Sequence, residues 1–377
     1  LKKVRPPKAA QALIEPLARR ADALGLKLFV VGGCVRDWMR GRPTNDIDLV
    51  CESDPAALAA EAAKLLGGEA EAFGQFGTYR VKSASKLRVD LATARRETYP
   101  QPAALPVVAT PAPIEEDLRR RDFTVNAMAL ALNGPRAGEL LDPFGGAADL
   151  DAGRLRLLHD QSLRDDPTRA FRAARYASRL KLSPDADLER QVRGALEAGH
   201  AARLSPHRLT QELLRVLDEP EAAGPLSLLE KWGYLSLFGA RLPLPDQRLK
   251  GAEERLAGMV VELGLPAGHK LIERLALTRR LADDLFELLR LLDEKRAPRD
   301  EVPSHVRRVL AVLRPKLPKS ALRPLVITGQ DLKELGLQPG PAFKGILDQV
   351  AALQWEGKVT TRRQALARAA KIAGAGA

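Results

Sequence analysis

One stretch constrains this chain more than any other: Phe29 to Glu52, FVVGGCVRDWMRGRPTNDIDLVCE. Phe29, Val30 and Val31 read as a short buried strand, because three large apolar residues run straight into a Gly pair. Gly32 and Gly33 let the backbone turn sharply and leave no side chain in front of its N–H groups. Cys34 to Arg40 reads as a short helix whose first N–H groups point at whatever lies over the glycines, a seat for a phosphate. The run Asn45-Asp46-Ile47-Asp48-Leu49-Val50 then alternates polar and apolar as a half-buried strand does. Period two places the carboxylates of Asp46 and Asp48 on one face, with Ile47 turned into the core. Two neighbouring carboxylates repel each other unless a divalent cation lies between them, and hard oxygen ligands suit Mg²⁺. A lone Gly-Gly is usually a turn, and a lone Asp-x-Asp a solvated strand edge. The order strand, Gly-Gly, helix, Asp-x-Asp strand is far more specific.

Further along, Pro7 to Leu24 and PAALAAEAAKLLGG (55–68) read as helices, the second stopped by Gly67 and Gly68. FGTYRVKS (76–83) and KLRVDLAT (86–93) read as two strands that pair beside the Asp-x-Asp strand. Asp90, flanked by Val89 and Leu91, brings a third carboxylate, which two-metal transfer uses to hold the ion that activates a hydroxyl. The plainer alternative is a strand aspartate paired with Arg88. Residues 99–113, rich in Pro and Ala without a period, read as a mobile loop near the site. EEDLRRRDFTVNAMALAL (115–132) reads as an acidic helix start, a basic cluster and an apolar segment. Arg119, Arg120 and Arg121 offer forked donors suited to a triphosphate, although three arginines alone more often mark a solvated helix face.

GGCVRDWMRGRPTNDIDL (32–49) resembles the first motif of the class II tRNA nucleotidyltransferases and bacterial poly(A) polymerases, whose palm is of the polymerase-β type. RRDFTVNA (120–127) matches the second motif of that family, and Asp142, Gly146 and Arg156 in LDPFGGAADLDAGRLR resemble the third, which by that resemblance joins head to neck as a hinge. The resemblance implies an α/β nucleotidyltransferase palm followed by all-α neck, body and tail, divided at 1–150, 151–215, 216–322 and 323–377. It implies Asp46, Asp48 and Asp90 as catalytic residues, with Mg²⁺ on Asp46 and Asp48. It places Gly32, Gly33 and Arg36 at the nucleotide, Arg121 and Asp122 near the triphosphate and sugar, and Asn126 near the ribose. The implied reaction adds C, A or both from CTP and ATP to the 3′ end of tRNA. The strings TARRETYP and DDPTR look closer to relatives that split the task into CC-adding and A-adding enzymes. Poly(A) polymerase ranks second, because the long basic extensions typical of those enzymes are not in this sequence.

RDDPTRAFRAARYASRL (164–180) reads as helical after Pro167, and carries the chemistry that discriminates most. Asp166 and Arg169, three apart, would project from one face. A carboxylate accepts hydrogen bonds and a guanidinium donates them. Cytosine and adenine both present an amino donor beside a ring-nitrogen acceptor; guanine and uracil present the reverse. A rigid Asp–Arg pair therefore admits CTP and ATP and rejects GTP and UTP without a template. The family's fourth motif is Glu-Asp-x-x-Arg with that role, and Asp165 departs from it by one methylene. Arg172 and Arg175 extend the same basic face. LSPHRLTQELLRVLDEP (204–220) resembles the neck helix, with His207 where an acidic residue is usual.

The chain of 377 residues carries a net charge of +12, of which +2 falls in 1–150 and +10 in 151–377. The positive excess therefore lies beyond the catalytic stretch, where an RNA body could rest. Residues 324–370 resemble the family's tail, and Gly336 and Gly340 there read as helix caps facing RNA phosphate. The two cysteines, Cys34 and Cys51, are expected to pack rather than pair, and the five histidines give no zinc-ligand spacing. No apolar run reaches the ~20 residues of a membrane span. The chain opens at Leu1, as a trimmed start would, and without a signal-peptide pattern its expected location is cytoplasmic, with no stable protein partner evident.

Overall fold

The computed structural model describes residues 4–82, 84, 87–239 and 241–374. By internal contacts the chain forms two compact units, divided between Leu204 and Ser205. The cut falls inside the stretch 151–215. The fold is the expected one: an N-terminal α/β sheet domain followed by a mostly helical region.

The first unit is built on a seven-stranded sheet in the order β3-β4-β5-β2-β1-β8-β9. Its strands are β1 (Leu28–Val31), β2 (Asp46–Cys51), β3 (Glu69–Phe73), β4 (Thr78–Lys82), β5 (Arg88–Thr93), β8 (Ala129–Ala131) and β9 (Leu140–Leu141). Helices α1 (Lys8–Ala23), α2 (Gly33–Met39) and α3 (Ala56–Leu66) cover one face, where Ile47, Leu49, Val89 and Leu91 bury against Leu13, Leu17, Val35 and Leu58. On the opposite face Phe29, Val31 and Val50 pack with Ile114 and Leu118 of helix α4 (Ile114–Arg119). Alternation along β2 therefore turns Asp46 and Asp48 away from α1–α3, and both remain exposed.

β5 pairs with β2 in parallel, Asp48 opposite Asp90, and with β4 antiparallel. The expected hairpin is thus β4–β5, and the far ends of its two strands, Ser83 and Lys86, lie outside the described residues. Strand β3 has no apolar alternation to announce it, since four of its five residues are Glu or Ala; it forms as an edge against β4. The stretch 99–113 is more ordered than a periodless loop. Strands β6 (Arg96–Thr98) and β7 (Val107–Ala109) close it as a small antiparallel ribbon. Glu97 ties its base down, accepting from Arg95, Tyr99 and Arg120.

Beyond the sheet come α5 (Gly146–Asp151), α6 (Ser162–Asp165), α7 (Arg169–Leu180) and α8 (Ala186–Glu197), with one two-residue parallel pairing of β10 (Arg154–Leu155) and β11 (Ser183–Pro184) in an otherwise helical stretch. The third motif closes this join. Asp142 accepts from the N–H groups of Gly146 (2.7 Å) and Ala147 (2.9 Å), and buried Asp149 accepts from Thr124, Arg154 and Arg156. A Cβ on Gly146 would stand 2.1 Å from the carbonyl oxygen of Thr124. Gly146→Ala is expected to destabilise the unit by about 1–3 kcal/mol, the usual cost of overpacking against backbone, read as a drop in thermal midpoint.

In the second unit, α9 (Pro206–Leu217), α10 (Ala223–Lys231), α11 (Gly251–Arg274, broken at Gly264), α12 (Arg279–Glu294) and α13 (Ser304–Leu313) precede α14 (Gly329–Glu334), α15 (Pro341–Trp355) and α16 (Arg362–Gly374). Leu281, Leu285, Leu288 and Leu289 give α12 one buried face. The last three helices share a core of Ile327, Leu332, Ile346, Val350, Val359, Ala365 and Ala369. Gly336, at φ +82°, follows the C-terminus of α14, and Gly340 is the N-cap of α15. Among the described residues no helix is long and apolar enough to cross a membrane.

Candidate active site

The glycine turn between β1 and α2 sets the floor. Gly32 stands at φ +69°, and its N–H donates to the carbonyl of Met128 (3.1 Å), so it is not among the free groups at the helix start. A Cβ there would lie 2.7 Å from Nη1 of Arg121. The turn therefore needs glycine twice, for its backbone and for the guanidinium laid across it. Gly32→Ala is expected to displace Arg121 and lower kcat/KM for nucleotide about tenfold, the equivalent of ~1.4 kcal/mol, read in steady-state kinetics with the fold intact by circular dichroism.

Beside the turn stand the carboxylates. Cys34 of α2 donates its thiol to the carbonyl of Asp46 (2.7 Å) and accepts from the N–H of Asp48 (3.3 Å), locking helix to strand. Both cysteines are buried and unpaired, and burial pushes the Cys34 thiol up to about 12, so it stays protonated as a donor. Asp48 reaches solvent yet has protein packed around it. That desolvation, with Asp90 and Asp46 beside it, raises its carboxyl above the usual range against the pull of Arg121. No ion pair to Asp46 or Asp48 forms among the described residues, which suits a hard cation. Asp90 differs. Register brings it alongside Asp48, but both its oxygens are taken by Arg80 of β4, at 2.8 Å each. Arg88, the partner that the plainer alternative gave it, stands 3.9 Å off.

Of the three arginines at 119–121, only Arg121 lies at the turn. Arg120 bonds inward to Asp117 and Glu97, and Arg119 lies over the Phe144 ring at 5.9 Å. Asp117, fully buried, anchors Arg121 as well (2.9 Å). Burial acts to raise its pKa, but Arg121 and Arg120 outweigh that and hold it below the usual carboxylate range.

Arg36, Asp122 and Asn126 form a buried frame. Arg36 Nη1 donates to Asn126 Oδ1 (2.5 Å), Asn126 Nδ2 donates to Asp122 Oδ1 (3.0 Å), and Arg172 of α7 forks onto Asp122 Oδ2 (2.8 and 2.5 Å). Arg36 also holds Asp37 with Nε and Nη2. Burial opposes the charge on Asp122, but Arg172 and the hydrogen bond from Asn126 prevail and lower its pKa. These side chains are committed to one another, and they join the second motif to α7.

The pair Asp166 and Arg169 is held at the start of α7 rather than along it. Asp166 lies before the helix in extended backbone (φ −139°), with Oδ1 accepting from the N–H (3.1 Å) and hydroxyl (2.7 Å) of Thr168. Pro167 precedes the N-cap, Thr168, and Arg169 is the first helical residue. Arg169 is 4% exposed; its Nη2 donates to the Arg120 carbonyl (3.0 Å), while Nη1 is buried without a protein partner. A guanidinium with one fixed and one unmet nitrogen is arranged for an incoming acceptor. Arg175 lies farther along α7, half-buried, between Arg172 and Arg179. Beside the pair, a cavity of about 670 Å³ is lined by Tyr99, Arg119, His159, Arg164, Asp165 and Arg169 among others.

Sequence reasoning missed Arg80, Asp117 and Tyr176. Only Asp117 left a trace, four residues before Arg121 on a helix start. Tyr176 has the guanidinium groups of Arg36, Arg172 and Arg179 over its ring at 5.5–5.8 Å.

With this geometry in place, four likenesses bear on it. The model of the poly(A) polymerase head domain matches residues 28–156. The CC-adding tRNA nucleotidyltransferase of Deinococcus radiodurans is 36% identical over 364 residues, covering 93% of this chain and 90% of its own. The A-adding tRNA nucleotidyltransferase of Geobacter sulfurreducens is 30% identical over 418 residues, covering 97% of this chain, which spans 47% of that protein's length. Among solved structures, a CCA-adding enzyme in complex with ATP superposes with a TM-score of 0.71 at 25% identity, over 98% of this chain and 96% of that one.

Proposed function

The chain belongs to the tRNA nucleotidyltransferase family, and from that premise we propose that it transfers C or A residues from CTP or ATP to the 3′ end of tRNA. The carrying observation is the parallel register that lines Asp46, Asp48 and Asp90 along one open face beside the turn crossed by Arg121. The four-part division at 1–150, 151–215, 216–322 and 323–377, with the tail toward tRNA, belongs to the same reading. So does a cytoplasmic site of action.

The reaction joins the 3′-oxygen of the RNA to the α-phosphorus of the nucleotide and breaks the bond to pyrophosphate, with the hydroxyl proton passing to solvent. Asp46 and Asp48, unpaired and acidic, would hold Mg²⁺. When bound, the ion eases loss of the hydroxyl proton and neutralises triphosphate charge. Arg121, aimed by Asp117, holds the triphosphate over Gly32 and Gly33. The Arg36–Asn126–Asp122–Arg172 frame fixes the sugar-side wall and ties it to α7, whose Arg175 lies on the same basic face. Asp166 and Arg169 read the base. No protein nucleophile is required; the chain contributes position and charge.

The test is extension, at single-nucleotide resolution, of three tRNAs ending before CCA, after CC, and complete, each with Mg²⁺ and CTP, ATP or both. Growth from the bare end to CCA assigns the whole task. Growth to CC alone, or only from the CC end, assigns one half of it. No extension of any substrate overturns the proposal.

A further inference from the structure

The face that carries Asp48 continues across the sheet as one cross-strand row, Asp48 on β2, Asp90 on β5, Arg80 on β4 and Glu71 on β3. Three acidic residues and one arginine make up this row. The arginine sits between the carboxylate nearest the site and the edge of the sheet. Both oxygens of Asp90 meet Arg80 at 2.8 Å, the parallel two-point geometry that makes such pairs strong and directional. The guanidinium is backed by the Phe73 ring at 5.5 Å, although Phe73 itself is 62% exposed on the edge strand. Among the described residues no group of three potential ligands stands close enough to hold a metal ion. Asp46 and Asp48 are unpaired, and the third carboxylate is turned to Arg80.

We propose that Arg80 is an internal counter-ion that holds Asp90 out of the metal site and must release it before the three-carboxylate site is complete. Asp90 exchanges one cationic partner for another, and no covalent bond changes. Across the strand pair Glu71 stands opposite Arg80, already paired with Lys82 at 2.7 Å, and after Asp90 the acidic groups acting on the guanidinium are Asp48 and Asp46. Arg80 is thus a positioning residue that sets how much divalent cation the site requires. The inference rests on the proposed metal seat at Asp46 and Asp48, and concerns only what governs its third ligand.

The test is calorimetric titration of the full chain, without RNA or nucleotide, with Mg²⁺ and separately Mn²⁺. Arg80→Gln is expected to bind either ion about tenfold more tightly than the unaltered chain, since the competing pair is gone. Arg80→Lys, which keeps the charge but loses the fork, should fall between, and serves if Arg80→Gln fails to fold. The gain should vanish when Asp90→Asn is added. Arg88→Gln removes a similar charge 3.9 Å from the same carboxylate without the two-point contact, and should move affinity far less. Unchanged or weaker binding in Arg80→Gln overturns the inference and leaves the transferase reading standing. An equal gain from Arg88→Gln, or a gain that survives Asp90→Asn, reduces Arg80 to one charge among several and also overturns it. Ion uptake by the Asp48→Asn chain equal to that of the unaltered chain would overturn both readings.

Discussion

Asp48→Asn, alone or with Asp46→Asn, is expected to reduce nucleotide transfer by at least about a thousandfold, the scale of losing a preorganised charge-stabilising group, while leaving tRNA binding within about twofold. The two effects separate because the basic excess is carried by other residues, those after 150 in the sequence. The same substitution should act oppositely on stability. Desolvation and the neighbouring Asp90 and Asp46 raise the Asp48 pKa in the folded chain. The folded state then binds that proton more tightly than the unfolded one. Above both pKa values the ionised carboxylate therefore diminishes stability, and the loss disappears as pH falls through the raised value toward the unfolded ~3.9. Asp48→Asn should accordingly raise the thermal midpoint in chelator by about 1–2 °C at neutral pH and gain nothing near pH 3. Activity that persists unchanged would remove Asp48 from the metal seat. A lowered midpoint in chelator would mean that the carboxylate is already compensated in the folded chain.

How much of this was legible beforehand depends on what kind of contact each residue makes. The Asp46-Ile47-Asp48 alternation was readable because a strand buried on one face obeys period two, and Ile47 buries while its neighbours stay exposed. Arg80 was not readable. Its partner depends on the register between β4 and β5, which no local pattern states, and Tyr79 and Val81 around it suggest only a strand. The ribbon of β6 and β7 escaped notice because three-residue strands leave too few positions for a period, and because Glu97 at its base is held in part by the distant Arg120. Asp166 and Arg169 were found by their chemistry but placed with the wrong geometry. The Asp166 carboxylate accepts from Thr168 in a local turn, the helix begins at Arg169, and three-residue spacing works here through a turn instead of a helix face. Arg36 and Asn126 show another limit: the family resemblance implies that they lie at the nucleotide, and it carried no sign that their side chains bond to each other and to Asp122 in a buried frame.

That placement of Asp166 and Arg169 sets the second large effect. Arg169 is fixed by the Arg120 carbonyl and Asp166 by Thr168, so in the proposed role of reading the base neither can turn to suit a different one. A site built to hydrogen-bond one pattern rejects its reverse by about 10⁴-fold. Asp166→Asn keeps the shape and the capping oxygen but replaces an acceptor by an amide that can donate. Incorporation of C and A should fall about 10–100-fold in kcat/KM, one or two charge-assisted hydrogen bonds' worth. Incorporation of U, whose carbonyl can now be met, should fall less or rise. The ratio of C plus A to U plus G is therefore expected to narrow to about 10² or below. Arg169→Lys keeps the charge and most of the volume but loses the fork. It should narrow the ratio too, without the gain for U. Single-turnover incorporation of each of the four nucleotides onto a tRNA ending before CCA, compared with onto one ending at CC, measures both. Equal losses for all four nucleotides would show that the pair holds the sugar or phosphate and does not read the base. A ratio unchanged in both variants would move base selection elsewhere, and the cavity lined by Tyr99, His159 and Arg164 would be the next place to look.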